Sequence, residues 1–138
     1  MLAGLTAQLE IRVEGNDLSD GLLSEEVGAV STPRLLQLLE ATSREAIKDH
    51  LSPGEEWLAS GVRIRHLAPL PLGMKVTAHA LLKEVRGNQL LFLVDAYNEV
   101  EKVAEGELEG ILVPKDQTLK SLRGKKEKAM TEARPRER

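Results

Sequence analysis

Three side chains in this sequence have the types that acyl-transfer chemistry uses: the hydroxyl of Thr32, the carboxylate of Glu40 and the imidazole of His66. A carboxylate can activate water or attack a carbonyl, an imidazole can move protons near neutral pH, and a hydroxyl can orient either group. Each also has a structural reading when taken alone. Thr32, followed by Pro33, can cap the free N–H groups of a helix start, and Ser31 can share either role. Glu40 can be a rim charge where the apolar and polar faces of a helix meet, and His66 a core histidine with satisfied hydrogen bonds. Spacing adds a constraint. Thr32 and Glu40 are eight residues apart, about 12 Å along a helix axis. Their side chains cannot bond directly on one straight helix. A shared site then needs a substrate bridging them or contributions from two subunits, which favours a dimer with the site at its interface.

The flanking sequence supplies the elements that must hold these groups. Residues 5–14 alternate strictly between apolar (Leu5, Ala7, Leu9, Ile11, Val13) and polar positions, the period of a half-buried strand. Gly15-Asn16-Asp17 ends it, and residues 18–30 read as irregular. From Thr32 the leucines recur with helical spacing until Ser52-Pro53-Gly54 stops the helix near Leu51. It is expected to be the only long helix in the core. Strands follow at 60–67, 74–85, 90–97 and 103–113. Turns join them at Arg86-Gly87-Asn88-Gln89 and Glu99-Val100-Glu101-Lys102. Parity on the strand at 60–67 puts His66 with Val62 and Ile64, on the face expected to meet the helix. Arg63 and Arg65 lie opposite. His79 falls on the polar face of its strand and His50 at the helix end, where a cation suits the dipole; both read as structural. The whole is an α+β pattern: an antiparallel sheet with one helix packed on its concave face.

Composition narrows the chemistry. At 138 residues the chain is one domain. It has no cysteine, which excludes disulfides, thiolate nucleophiles and Cys-ligated zinc or iron–sulfur centres. Its three histidines show no metal-ligand spacing, so no metal site is expected. One Trp, one Tyr and one Phe give no platform for stacking bases, which argues against single-stranded nucleic acid as a partner. No apolar run would span a bilayer and the N-terminus lacks a signal-peptide core, so the expected location is the cytoplasm. Few Asn and Gln beside many charges point toward a thermophilic source. Residues 114–138 carry nine Lys/Arg against four Asp/Glu, a net of +5, while residues 1–113 hold a net of −8. An acidic domain over 1–113 with a basic tail over 114–138, partly helical (Leu119, Leu122, Met130) or disordered, is the expected organisation.

The order β-α-β-β-β-β around one long helix resembles the hotdog fold. The stretches Val30-Ser-Thr-Pro-Arg-Leu-Leu-Gln-Leu-Leu-Glu40-Ala, Leu51-Ser-Pro-Gly-Glu55 and Gly61-Val-Arg-Ile-Arg-His66-Leu-Ala-Pro-Leu-Pro-Leu-Gly73 resemble the fluoroacetyl-CoA-thioesterase-like branch of that superfamily. The resemblance covers about residues 5–113. It implies that Thr32, Glu40 and His66 are catalytic. It also implies a homodimer, with pairing into a dimer of dimers open, that hydrolyses an acyl-CoA thioester with no metal or redox cofactor. Glu40 would activate water or act as the nucleophile, His66 would assist proton transfer or stabilise developing charge, and Thr32 would orient a catalytic group or the acyl carbonyl. Ser31, Ala59 and Ser60 are the expected substrate contacts, with backbone N–H groups at Leu58-Ala59-Ser60 as oxyanion donors.

The chain also departs from the family pattern. Ala59 stands where the family often has Gly, Gly106-Glu-Leu-Glu-Gly110 lacks the His and Arg often found there, and residues 18–30 contain no Phe. The expected acyl group is therefore short or medium and not fluoroacetyl. A non-catalytic acyl-CoA-binding dimer is the alternative reading, and a hotdog dehydratase or hydratase a further one. Nucleic-acid contact through the basic tail ranks below these.

Overall fold

The computed structural model describes residues 1–14 and 31–132. The turn at Gly15-Asn16-Asp17, the irregular stretch 18–30 and the terminal Arg134–Arg138 segment lie outside the described residues. The elements run β1 (Thr6–Arg12), α1 (Thr32–Ile47), a 3-10 turn (Lys48–His50), β2 (Glu55–His66), β3 (Lys75–Arg86), β4 (Gln89–Tyr97), β5 (Lys102–Pro114) and α2 (Lys115–Glu132). The five strands form one antiparallel sheet in the order β1-β3-β4-β5-β2. This is the α+β hotdog arrangement expected from the sequence.

Strand parity builds the core. Val76, Ala78, Ala80 and Leu82 of β3, with Leu90, Phe92, Val94 and Ala96 of β4, are buried on the face toward α1. Leu35, Leu38, Leu39, Thr42, Ser43, Ala46 and Ile47 form the opposing stripe of the helix, three and four residues apart as one helical face requires. The two hydroxyls in that stripe return to the helix's own carbonyls, Thr42 Oγ1 to Leu38 O at 2.7 Å and Ser43 Oγ to Leu39 O at 2.9 Å, so no polar group is left open there. β4 is the central strand, as its apolar sequence implies. The β3–β4 hairpin has Gly87 at φ +60° and no positive φ at Asn88. That is the pattern of a type II′ turn, which places glycine first.

Four features differ from the sequence reading. β2 begins at Glu55 and not at residue 60; the apolar-to-polar alternation there is broken by a bulge between Ala59 and Gly61, which hides the strand from a period-two search. α1 ends at Ile47 and tightens into the 3-10 turn before Leu51. Val62 shares the concave face with Ile64 and His66, yet is 50% exposed, because α1 packs mainly on β1 and β3 and leaves this part of β2 uncovered. The basic tail forms an 18-residue helix, α2, with no buried residue; it is longer than α1 but lies outside the core.

Candidate active site

The start of α1 sets the first part of the site. Ser31, not Thr32, is the N-cap: its backbone is extended, and its Oγ accepts from Arg34 N–H at 3.1 Å. Thr32 and Pro33 are therefore the first helical residues, the position where proline's missing N–H costs nothing. Relieved of capping, the Thr32 hydroxyl lies 3.1 Å from Nδ1 of His66, the last residue of β2. The Ser31 hydroxyl, expected among the substrate contacts, is engaged as the cap.

His66 is half-buried, and its Nε2 is enclosed with no hydrogen-bond partner among the described residues. Either tautomer leaves an unused donor or acceptor at that atom. Buried ring nitrogens in this state are few, His66 Nε2 and Trp57 Nε1 among the described residues, and the one on an imidazole is free to serve chemistry. An imidazole with a hydroxyl on one nitrogen and the other nitrogen unbonded can take up and pass on a proton.

Glu40 stands two helical turns further along α1. Thr32, Leu36, Glu40 and Arg44 follow one another at intervals of four and form a ridge beside the buried stripe. Glu40 does not bond to Thr32 or His66; its partner among the described residues is Arg44, Nη1 to Oε2 at 3.5 Å. The guanidinium of Arg44 in turn lies over the indole of Trp57, 5.6 Å from the ring centroid. The helix thus touches β2 at two places, Thr32 on His66 and Arg44 on Trp57. On β2, Val62 and Ile64 fall between those two places, with Val62 exposed. This leaves an apolar strip of the concave face near the level of Glu40.

Ala59 and Ser60 sit at the bulge of β2. Ser60 is the extra residue, and its hydroxyl reaches Glu109 O at 3.5 Å. Six or seven residues of strand separate them from His66, roughly 20 Å at about 3.3 Å per residue. The structure therefore brings Thr32 and His66 together, places Glu40 on the same ridge, and sets Ala59 and Ser60 apart from the pair within one chain. Sequence reasoning missed Arg44 and Trp57. The signals were present: an arginine four residues after a helical glutamate, and the chain's single tryptophan. His79, read as structural, bonds Asp95 at 2.8 Å on the opposite face of the sheet.

A family described as fluoroacetyl-CoA-specific thioesterase matches residues 13–116. A fluoroacetyl-CoA thioesterase of Streptantibioticus cattleyicolor is 32% identical over 76 residues, covering 55% of this chain and 55% of that protein; the match spans about half the length of that curated relative. Among solved structures, a Thermus thermophilus hypothetical protein of the thioesterase superfamily superposes with a TM-score of 0.85 at 28% identity, covering 95% of this chain and 97% of the other. A threonine-to-serine variant of the fluoroacetyl-CoA thioesterase, in complex with acetyl-CoA, superposes with a TM-score of 0.82 at 25% identity over 91% and 98% of the two chains. With the family match running through both α1 and the whole sheet from β2 to β5, the chain belongs to the fluoroacetyl-CoA-specific thioesterase family.

Proposed function

We propose that the protein hydrolyses an acyl-CoA thioester to the free acid and the thiol. The observation that carries this is the Thr32–His66 hydrogen bond at 3.1 Å with His66 Nε2 enclosed and unpartnered. In this reading the acyl group lies along Val62 and Ile64, with its carbonyl between the Thr32–His66 pair and Glu40. Glu40 takes a proton from water, or attacks the carbonyl itself and is then released by water. The C–S bond breaks, the departing thiolate takes a proton from His66, and the proton left over from the water returns to His66, by way of Glu40 where Glu40 took it first. Thr32 holds the imidazole in one orientation. No step in this reading calls on a metal or redox cofactor. No helix among the described residues is long and apolar enough to cross a membrane.

The working unit is a homodimer. Among the described residues β2 is an edge strand of 12 residues with Leu58 and Val62 exposed, and a long edge of this kind invites pairing with another strand. A second copy would also bring its own Ala59 and Ser60 N–H groups toward a carbonyl that the first copy's bulge is too distant to reach. The acyl group is short or medium and not fluoroacetyl, a reading supported by the absence of Phe from residues 18–30, where the chain departs from the family pattern.

Thiol release from a panel of acyl-CoAs, short to long and aryl, tests the reading, with Glu40→Ala and His66→Ala alongside. Turnover that vanishes in both variants while each remains folded is the expected result. No release from any member, with an intact acyl-CoA bound, would replace the enzyme with a binding protein.

A further inference from the structure

We infer that Arg44 is a positioning residue for Glu40 and that Trp57 is the platform that fixes it, an arrangement that rests on the hydrolytic role of Glu40 proposed above. An ion pair between residues four apart on a helix surface ordinarily fixes little, because both side chains rotate freely and water screens the charges. The Glu40–Arg44 pair differs in having a third member. Arg44 Nη1 meets Glu40 Oε2 at 3.5 Å while its Cζ sits 5.6 Å from the centroid of the Trp57 ring. A guanidinium is planar and delocalised, so it can lie on an aromatic face and direct its edge N–H groups at a carboxylate at the same time.

The indole itself cannot swing away. Trp57 is 1% exposed and meets Phe92 edge-on with ring centroids 5.0 Å apart. Its other boundary is β5, where a Cβ on Gly110 would come within 2.7 Å of the indole Cε2 and Nε1. The ring is therefore wedged between two strands, the guanidinium rests on the ring, and the carboxylate faces the guanidinium as an ion pair at 3.5 Å. Glu40 has no other ion-pair or hydrogen-bond partner among the described residues, so this chain of contacts decides where its oxygens point. The relay explains how a carboxylate 26% exposed on a helix ridge can be held for chemistry without touching Thr32 or His66. It also gives a second task to a tryptophan that already packs in the core.

The test uses the full-length protein and its best substrate from the acyl-CoA panel. Arg44→Met keeps the aliphatic stem and removes the guanidinium; Arg44→Lys keeps the charge but not the planar group. Arg44 is 44% exposed, so both variants are expected to fold, and thermal melts check this. Arg44→Met should lower kcat between about 10- and 100-fold, as misplacing a reacting group does, with KM changed less than about twofold. Arg44→Lys should recover part of that loss. Because Trp57 is the chain's single tryptophan, its fluorescence reports the stack directly, and Arg44→Met should change its intensity or emission maximum in the folded protein. Wild-type kcat in Arg44→Met beside an inactive Glu40→Gln would overturn the role of Arg44 and leave the thioesterase standing. Wild-type kcat in Glu40→Gln would remove Glu40 from the reaction, and this inference with it.

Discussion

Thr32 and His66 are 34 residues apart in the chain and 3.1 Å apart in space, at the first turn of α1 and the last residue of β2. The contact exists because Ser31 takes over the cap, which turns the next hydroxyl away from the helix N–H groups and toward the strand. Two tasks are thus divided between two adjacent hydroxyls, the first closing the helix and the second facing the imidazole.

The division predicts opposite signatures for the two sites. Thr32→Ala and His66→Ala should each lower kcat by about 10²- to 10⁴-fold, the range of lost proton-transfer assistance. Thr32→Ser, which keeps the hydroxyl, should retain most activity. His66→Met is informative for stability. It removes a buried ring nitrogen that has no partner, a group whose burial costs about 1–3 kcal/mol. The variant should therefore melt no lower than wild type while being inactive. A Tm drop of many degrees would mean that His66 serves the core.

Ser31→Ala should act through the helix. Losing an N-cap hydroxyl costs about 1 kcal/mol, and chemical denaturation should show that loss at unchanged m-value. Ser31→Asp, which can accept from Arg34 N–H in the same way, should restore it. An unchanged midpoint in Ser31→Ala would show that the cap contributes nothing to α1.

Much of this was legible in the chain. The helix pattern from Leu35 to Ile47 and the alternation in β3 and β4 follow from burial on one face, which local sequence records directly. The pairing of Thr32 with a distant histidine was readable only as far as residue types and resemblance allow. What escaped detection has a physical reason in each case. The first half of β2 was lost because a bulge breaks the period of two. The exposure of Val62 was lost because parity says which face a residue is on, and not whether the helix reaches that far. The cap was assigned one residue late because Ser31 and Thr32 are chemically equivalent as caps and only the backbone angle of Ser31 separates them. Arg44 and Trp57 escaped because their contact joins two elements with no periodic signature.

The glycines of β5 supply a packing prediction. A Cβ at Gly110 would lie 2.2 Å from Leu58 O and 2.7 Å from the Trp57 ring, and one at Gly106 would lie 2.0 Å from Arg63 O. The blocking atoms are backbone and a wedged indole, neither of which can yield cheaply. Gly110→Ala and Gly106→Ala should each destabilise by about 1–3 kcal/mol, the usual cost of overpacking, measured by urea denaturation. Gly124→Ala is the control: it lies on α2 with open space around it, and alanine is the better helix former by about 1 kcal/mol. If Gly110→Ala proved neutral, β2 and β5 would have to separate more easily than their register implies.

Acid stability should depend on Glu105. The Lys102 ammonium, 2.8 Å from its carboxylate, holds Glu105 below its ordinary value of 4.5, chiefly by the hydrogen bond and then by charge, with Arg65 adding to the effect. A carboxyl lowered on folding contributes stability at pH values above its unfolded pKa and loses it as pH falls through the folded value. Glu105→Gln should thus melt below wild type at pH 6, with the difference shrinking as pH drops below about 4.5. Lys102 is raised by the same contact, so Lys102→Met should show its deficit near neutrality and lose it as pH rises above the ordinary lysine range. The pair is half-exposed, so added salt should reduce both differences. A Tm gap in Glu105→Gln that stays constant from pH 6 to pH 3 would contradict the assignment.

A site completed by a second copy makes the most demanding prediction. Within one chain the bulge at Ala59 and Ser60 stands roughly 20 Å of strand from His66, so under the proposed mechanism its N–H groups would meet a carbonyl beside His66 only from a second copy. Ser60 is the residue left out of the β2–β5 ladder. Proline is tolerated at bulges and edge strands, so Ser60→Pro should fold while losing the N–H. Both His66→Ala and Ser60→Pro dimers should be inactive. Subunits of the two, mixed and allowed to exchange, would form dimers in which one site carries both lesions and the other carries neither. With equal inputs and random pairing in a two-fold dimer, activity should return to about a quarter of wild type. Sedimentation should show particles of twice the 15.2 kDa chain. Mixtures that stay inactive after demonstrated exchange would place the whole site within one chain, and the bulge would then serve the edge of the sheet rather than the substrate.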